Sequence, residues 1–142
     1  MSEEKKEDTF ELSNLFTTDR MNEGVWFEPY SDGITLGVRF KIIGIGSTKV
    51  VNDYAKYTVD INTLSGKDGF EAMMKKQAEI NADFASKLIS NIETSDGRKV
   101  VMEGKDIDNL KEVMKKLFTE NELVADMIIK FASNDFNYII QD

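Results

Sequence analysis

Between Asp68 and Ile92, the residues Phe70, Met73, Gln77, Ile80, Phe84, Leu88 and Ile92 recur at steps of three and four. That is the spacing of one face of an α-helix. Ala85 and Ile89 widen the stripe toward its C-terminal end, while Lys75, Lys76, Glu79, Asn81 and Lys87 fill the opposite side. At 1.5 Å per residue such a helix is roughly 36 Å long, about the width of a small domain, so the rest of the chain must pack along it. The stripe reads first as core. The alternative is a partner groove exposing Met73 and Met74, because the unbranched thioether adapts to varied surfaces.

The clearest sheet signal lies upstream. Ile34, Leu36, Val38, Phe40 and Ile42 alternate with Thr35, Gly37, Arg39 and Lys41, a period of two with one apolar face. Val25, Trp26, Phe27 and Tyr30 precede it, and Pro29 to Gly33 supplies turn chemistry ending in Asp-Gly. The pattern predicts a hairpin in which Ile34, Leu36, Val38 and Phe40 share a buried face. Pro29 has no N–H to give to a ladder, so the first strand sits at an edge or stops early. Trp26 reads as a hairpin anchor. A third short strand is expected within Arg98 to Glu103, joining the hairpin.

Around these elements the chain reads as follows. Residues 1–8, MSEEKKED, carry charge and no apolar run, which predicts a mobile acidic tail ahead of one globular domain over 9–142. Phe10, Leu12, Leu15 and Phe16 form an arm that docks on the core or hooks a neighbouring subunit. Gly44-Ile45-Gly46 lacks the remainder of any phosphate-loop pattern, so these glycines end the strand and lead into a helix capped by Ser47 or Thr48. Val50, Tyr54, Tyr57 and Ile61 make that helix's stripe. Asp106 caps a helix bearing Ile107, Leu110, Met114 and Leu117, and Thr119 with Glu122 forms a capping box before the last helix. The fold class expected is α+β, mainly helical with about four helices.

Composition removes much chemistry. The 142 residues include no histidine and no cysteine. Ser–His and Cys–His pairs, thiolate metal sites and disulfides are therefore excluded. A net charge of −8 is the wrong sign for displacing counterions from phosphate, so nucleic acid and anionic membrane are not expected partners. No apolar run approaches the ~20 residues of a membrane span. Paired acids have simpler roles: Asp106 and Asp108 complement a helix start. The Glu93-to-Asp96 turn fails as a calcium loop, because the twelfth position, which needs a closing Glu, is Gly104. No enzyme activity, metal or cofactor is expected.

Four segments together resemble the tail assembly chaperones of long-tailed bacteriophages. Glu23-Gly24-Val25-Trp26 is similar to that family's Gly-x-Trp with a short β segment. Ala85-Ser86-Lys87-Leu88-Ile89 resembles the apolar end of its middle helix. Asp96-Gly97 and the helix start at Asp106 come next. Glu122 to Asp126 and Ile128 to Ala132, closed by Asn134 to Tyr138, are similar to its Ala-x-Asp/Asn-x-x-x-Phe ending. Many relatives carry Trp at the end of the middle helix, where this chain has Asn91-Ile92. The resemblance implies a non-enzymatic helper in the host cytoplasm. Such proteins coat the tape measure protein that sets tail length and leave as tube subunits polymerise around it.

No motif in that family marks the client surface, so it is read from this sequence alone. Met127, Phe131, Phe136, Tyr138, Ile139 and Ile140 crowd apolar groups near a chain end, where burial is hard to complete. Removing 136–142 is expected to leave a folded protein that no longer holds its client; the alternative is that the helix folds back and buries Phe136 and Ile140 in its own core. Self-association stays open. A structural virion protein of the tail or connector, or a small ligand-binding or regulatory domain, are the rival readings.

Overall fold

The computed structural model describes residues 9–139, and its chain is a mixed α+β fold. Five α-helices are present among the described residues: α1 (Thr18–Glu23), α2 (Val51–Asn62), α3 (Phe70–Leu88), α4 (Leu110–Glu120) and α5 (Glu122–Ala132). The extra helix relative to expectation is α1, whose Thr17-Thr18-Asp19 start reads as a turn in sequence. The expected mobile tail, residues 1–8, lies outside the described residues, as does Ile140.

The central sheet has three antiparallel strands, β1 (Val25–Phe27), β4 (Val38–Ile42) and β5 (Ile89–Thr94), in the order β1-β4-β5. Phe27 pairs with Phe40 and Val25 with Ile42, so these four lie on the face that meets the helices. Trp26 pairs with Lys41 on the other face and is half-buried. Pro29 ends the edge strand, as its missing donor requires, and is itself fully buried.

The long hairpin is interrupted. Beyond Phe27, β2 (Tyr30–Ser31) and β3 (Ile34–Thr35) pair with a register two residues out of step with β1–β4. At the break, the Glu28 carboxylate accepts from the Gly37 N–H (3.2 Å) and from the Ser95 hydroxyl (2.8 Å), in place of a backbone rung. Asp32 and Gly33 both hold positive φ in the two-residue turn. Phe40 and Ile42 are buried, but Ile34 is 72% exposed and Leu36 53% exposed. The expected continuous buried face therefore stops at Val38, because the tip runs past the helices that cover the sheet.

The third strand is β5, not the segment expected. The helix that the stripe extends to Ile92 ends at Leu88, where Ile89 takes an extended conformation (φ −90°, ψ 118°). Ser90 and Asn91 are weak helix formers, and pairing with β4 gives this backbone a ladder instead. Lys111 Nζ donates to the carbonyls of Lys87 (3.0 Å) and Ile89 (2.7 Å), bridging the helix's end to the strand's start. β6 (Val101–Met102) and β7 (Lys105–Asp106) form a separate small hairpin and do not join the sheet. Asp106 consequently caps no helix. Asn109 does, accepting from the Glu112 N–H, and Asn121 rather than Thr119 caps α5 by accepting from the Val124 N–H.

The core lies between the sheet and α3, α4 and α5. Phe40, Ile42, Phe84, Leu88, Ile89, Met114, Phe118 and Ile128 are all essentially inaccessible. At its edge Gly44 is required by close approach: a Cβ there would meet Met21 Cγ at 2.6 Å. Met21 thus pins α1, and Asn22 Oδ1 accepts from the buried Ser47 hydroxyl (2.6 Å) beside it.

Candidate functional site

The N-terminal half of α3 projects beyond the core with α2 alongside. Between them and α4 lies an open cleft of about 680 Å³. Its apolar floor consists of Tyr57, Leu64, Met73, Ile80 and Phe84. Tyr57 stacks on Phe84 with ring centroids 4.3 Å apart, and its hydroxyl donates to Asn81 Oδ1 (2.9 Å). Burial raises the Tyr57 pKa, so the phenol stays protonated and keeps that bond at neutral pH.

The rim is charged with both signs. Lys56 pairs with Asp60 (2.7 Å), Lys87 with Asp53 (3.5 Å) and Lys115 with Asp83 (3.4 Å). Such pairs at the surface contribute little and exchange readily. Phe70 and Met74 stand outside the cleft at 72% and 43% exposure. The two rim hydroxyls bond to backbone: Thr63 donates to the Val59 carbonyl (2.9 Å) and Ser65 accepts from the Lys67 N–H (3.1 Å). Among the described residues no group of three or more acids is placed to hold a metal ion, and no helix is long and apolar enough to cross a membrane.

The C-terminal residues singled out from sequence are not brought together on one surface. Tyr138 is fully buried, and its hydroxyl donates to the Ile42 carbonyl (3.0 Å). Phe131 is half-buried, stacked on Phe27 at 4.6 Å and edge-on to Tyr138 at 5.9 Å. Met127 and Ile139 are also half-buried, and Phe136 is 73% exposed. The segment folds back, but the residue it buries is Tyr138; Phe136, expected in the core on the alternative reading, is exposed, and Ile140 lies outside the described residues. Burial, then the nearby Asp135 charge, pushes the Tyr138 pKa up.

Of the cleft residues, Met73 is legible in sequence as a groove candidate, whereas Tyr57 and Ile80 read as core. A usable signal is present: the α3 stripe is about one residue wide per turn from Phe70 to Ile80 and widens only where Ala82 and Ala85 let two helices approach. Comparison of the chain with protein-family models, with curated proteins and with solved structures finds no match.

Proposed function

We propose that this chain is a tail assembly chaperone of a long-tailed bacteriophage, binding the tape measure protein in the host cytoplasm and keeping it soluble until tube subunits displace it. The observation that carries the reading is the open α2–α3 cleft, whose Met73-containing floor accepts the apolar stripe of a helical client. Met adapts to the differing side chains met along a long client, and many modest contacts sum to firm but reversible coating. The exchangeable rim and the net charge of −8 suit a soluble, releasable complex.

The test is co-expression with a fragment of the long helical protein encoded next to it in a phage genome. The intact chain should hold the fragment in the soluble fraction. An Ala72→Glu/Lys76→Glu variant, altered at two exposed positions that line the cleft, should melt as the parent does yet bind the fragment at least about tenfold more weakly, equivalent to ~1.4 kcal/mol. A fragment that stays insoluble with the intact chain, or is held equally by the variant, overturns the assignment. Absence from purified particles separates a chaperone from a structural tail or connector subunit, which remains in them.

A further inference from the structure

We propose that Asp32-Gly33, at the tip of the β2–β3 hairpin, is a self-modification site at which the folded chain converts aspartate to isoaspartate. The sequence holds three Asp-Gly pairs, Asp32-Gly33, Asp68-Gly69 and Asp96-Gly97, all at exposed positions. A glycine after aspartate favours this chemistry, because without a Cβ its nitrogen is unhindered and its backbone turns freely. The Gly33 nitrogen attacks the Asp32 side-chain carboxyl carbon and forms a C–N bond, while the carboxyl hydroxyl leaves with the amide proton as water. Water then adds to the backbone carbonyl carbon of the resulting ring, and the original peptide C–N bond breaks. The chain thereafter runs through the Asp32 side chain, one methylene longer. No reactant but water is consumed.

The fold separates the three pairs. Ring closure needs an unheld carboxyl, an unheld glycine nitrogen and a backbone that can rotate to bring them together. At Asp96 the carboxyl is held: it accepts from the Arg98 N–H (3.3 Å) and from Arg98 Nε (3.0 Å). Those bonds keep its pKa below the usual carboxylate value, which disfavours the protonated form that sheds its hydroxyl. At Asp68 the nitrogen is held: the Gly69 N–H donates to the Gly66 carbonyl (3.0 Å), and the Gly69 carbonyl accepts from the Met73 N–H (3.2 Å) at the start of α3. Rotation there undoes the helix's first turn.

Asp32 meets all three conditions. Among the described residues nothing bonds its carboxylate or the Gly33 N–H. A Cβ built on Gly33 would meet nothing within 4 Å, so no neighbour hinders the attack. Asp32 sits at φ +52°, a left-handed conformation that is costly for a residue with a Cβ, and rotation relieves it. Only two pairs, Tyr30–Thr35 and Ser31–Ile34, close the hairpin behind the turn, and so short a ladder opens readily.

The change stops at Glu28. A two-residue loop fixes the register of its strands, so an added methylene breaks both β2–β3 pairs. The Glu28 carboxylate still ties Gly37 and Ser95 at the base of the tip, and β4 keeps its own pairs with β1 and β5. Age therefore marks the tip and spares the core. Neither the α2–α3 cleft nor a client takes part, so this site stands or falls separately from the proposed function.

Ageing the full chain in warm neutral buffer and mapping its tryptic peptides tests this. Cleavage after Arg20, Arg39, Lys67, Lys75, Lys87 and Arg98 puts the three pairs on separate peptides. The isoaspartyl form keeps the peptide's mass and is recognised by altered retention and backbone fragmentation. Peptide 21–39 should gain it several-fold faster than 68–75 or 88–98. In denaturant the three should age at similar rates, since only the shared Asp-Gly chemistry remains. Arg98→Gln should speed the reaction at Asp96 and leave Asp32 unchanged, and the aged parent should melt with the fresh one. Equal rates in the folded chain, or first product at either other pair, overturn the proposal. The same ranking in denaturant overturns it too, because the order would then come from sequence rather than fold, and a lowered melting temperature overturns the insulation by Glu28.

Discussion

From Ala82 to Leu88, α3 is enclosed: Ala82, Phe84, Ala85, Ser86 and Leu88 are buried, with α4 and α5 packed against them. From Phe70 to Lys76 the same helix keeps the same three-four rhythm but leaves Phe70 and Met74 in water and Met73 half-buried in the lining of an open cleft. Period alone therefore states that a helix forms and which way it faces, not how deeply it sinks. Depth is set by side-chain size. Two alanines and a serine in seven residues bring neighbouring helices close enough to seal the surface, whereas lysines and large apolar groups in the first turns hold neighbours apart.

The largest expected effect is at the enclosed end. Phe84→Ala removes a ring that stacks on Tyr57 and lies 5.9 Å from Tyr54, and should cost ~3–5 kcal/mol in denaturant unfolding. A cost below ~1 kcal/mol would break the contrast, since both halves of α3 would then be surface.

A middle-sized effect sharpens where the enclosed region ends. Tyr138→Phe keeps the ring and leaves the Ile42 carbonyl without its buried donor, which should cost ~1–3 kcal/mol. The folded-state pKa of this phenol is raised above the unfolded value near ~10. Its contribution is therefore complete below about pH 10 and is lost as pH rises from there toward the folded-state value, because the unfolded chain sheds its proton first. Melting followed against pH should show a steep alkaline decline in the parent and a shallower one in the variant. Equal declines would mean that Tyr138 is accessible and this end is not core. The same geometry reverses the outcome expected for removing 136–142: truncation should unfold the protein rather than leave it intact.

The smallest effect belongs to the exposed half. Phe70→Ala should change stability by no more than ~0.5 kcal/mol, the usual range for a surface position. A loss comparable with that of Phe84→Ala would show that the cleft closes in solution.

Much of the organisation is legible in the residues. The amphipathic helix and the edge strand ended by Pro29 follow from local chemistry, and each occurs. Ser47, expected to cap α2, instead accepts from the Lys49 N–H and caps the 3-10 turn Thr48–Val50 ahead of it, while α2, with Val50 at its N-terminal cap position, has no side-chain cap. The sheet's third strand is hidden because Ile89 and Ile92 satisfy a helical period as well as a strand; only their pairing with Ile42 and Phe40, far off in sequence, decides between them. Ile34 and Leu36 misled for a related reason: alternation marks one face of a strand but cannot tell where the covering helices stop. The caps at Asn109 and Asn121 compete in sequence with Asp106 and Thr119, and the winning residue depends on where the preceding hairpin and helix release the chain. The cleft was half-visible. Its methionine stood out by type, while its aromatic floor looked like ordinary core.

The hydrogen bond from Tyr138 to the Ile42 carbonyl spans 96 positions of sequence. Its consequence is one of timing. During vectorial synthesis the β1–β4 pair emerges early, yet its apolar face acquires its last covering ring only when the 3-10 turn at Asp135–Tyr138 has been made. Sheet pairing across β4 and β5 likewise waits for some fifty residues to be added. Contacts this distant are slow to close, so the nascent chain shows Phe40 and Ile42 to its surroundings for most of its translation, and the ribosome-bound form is the stage at which this protein itself is most in need of protection.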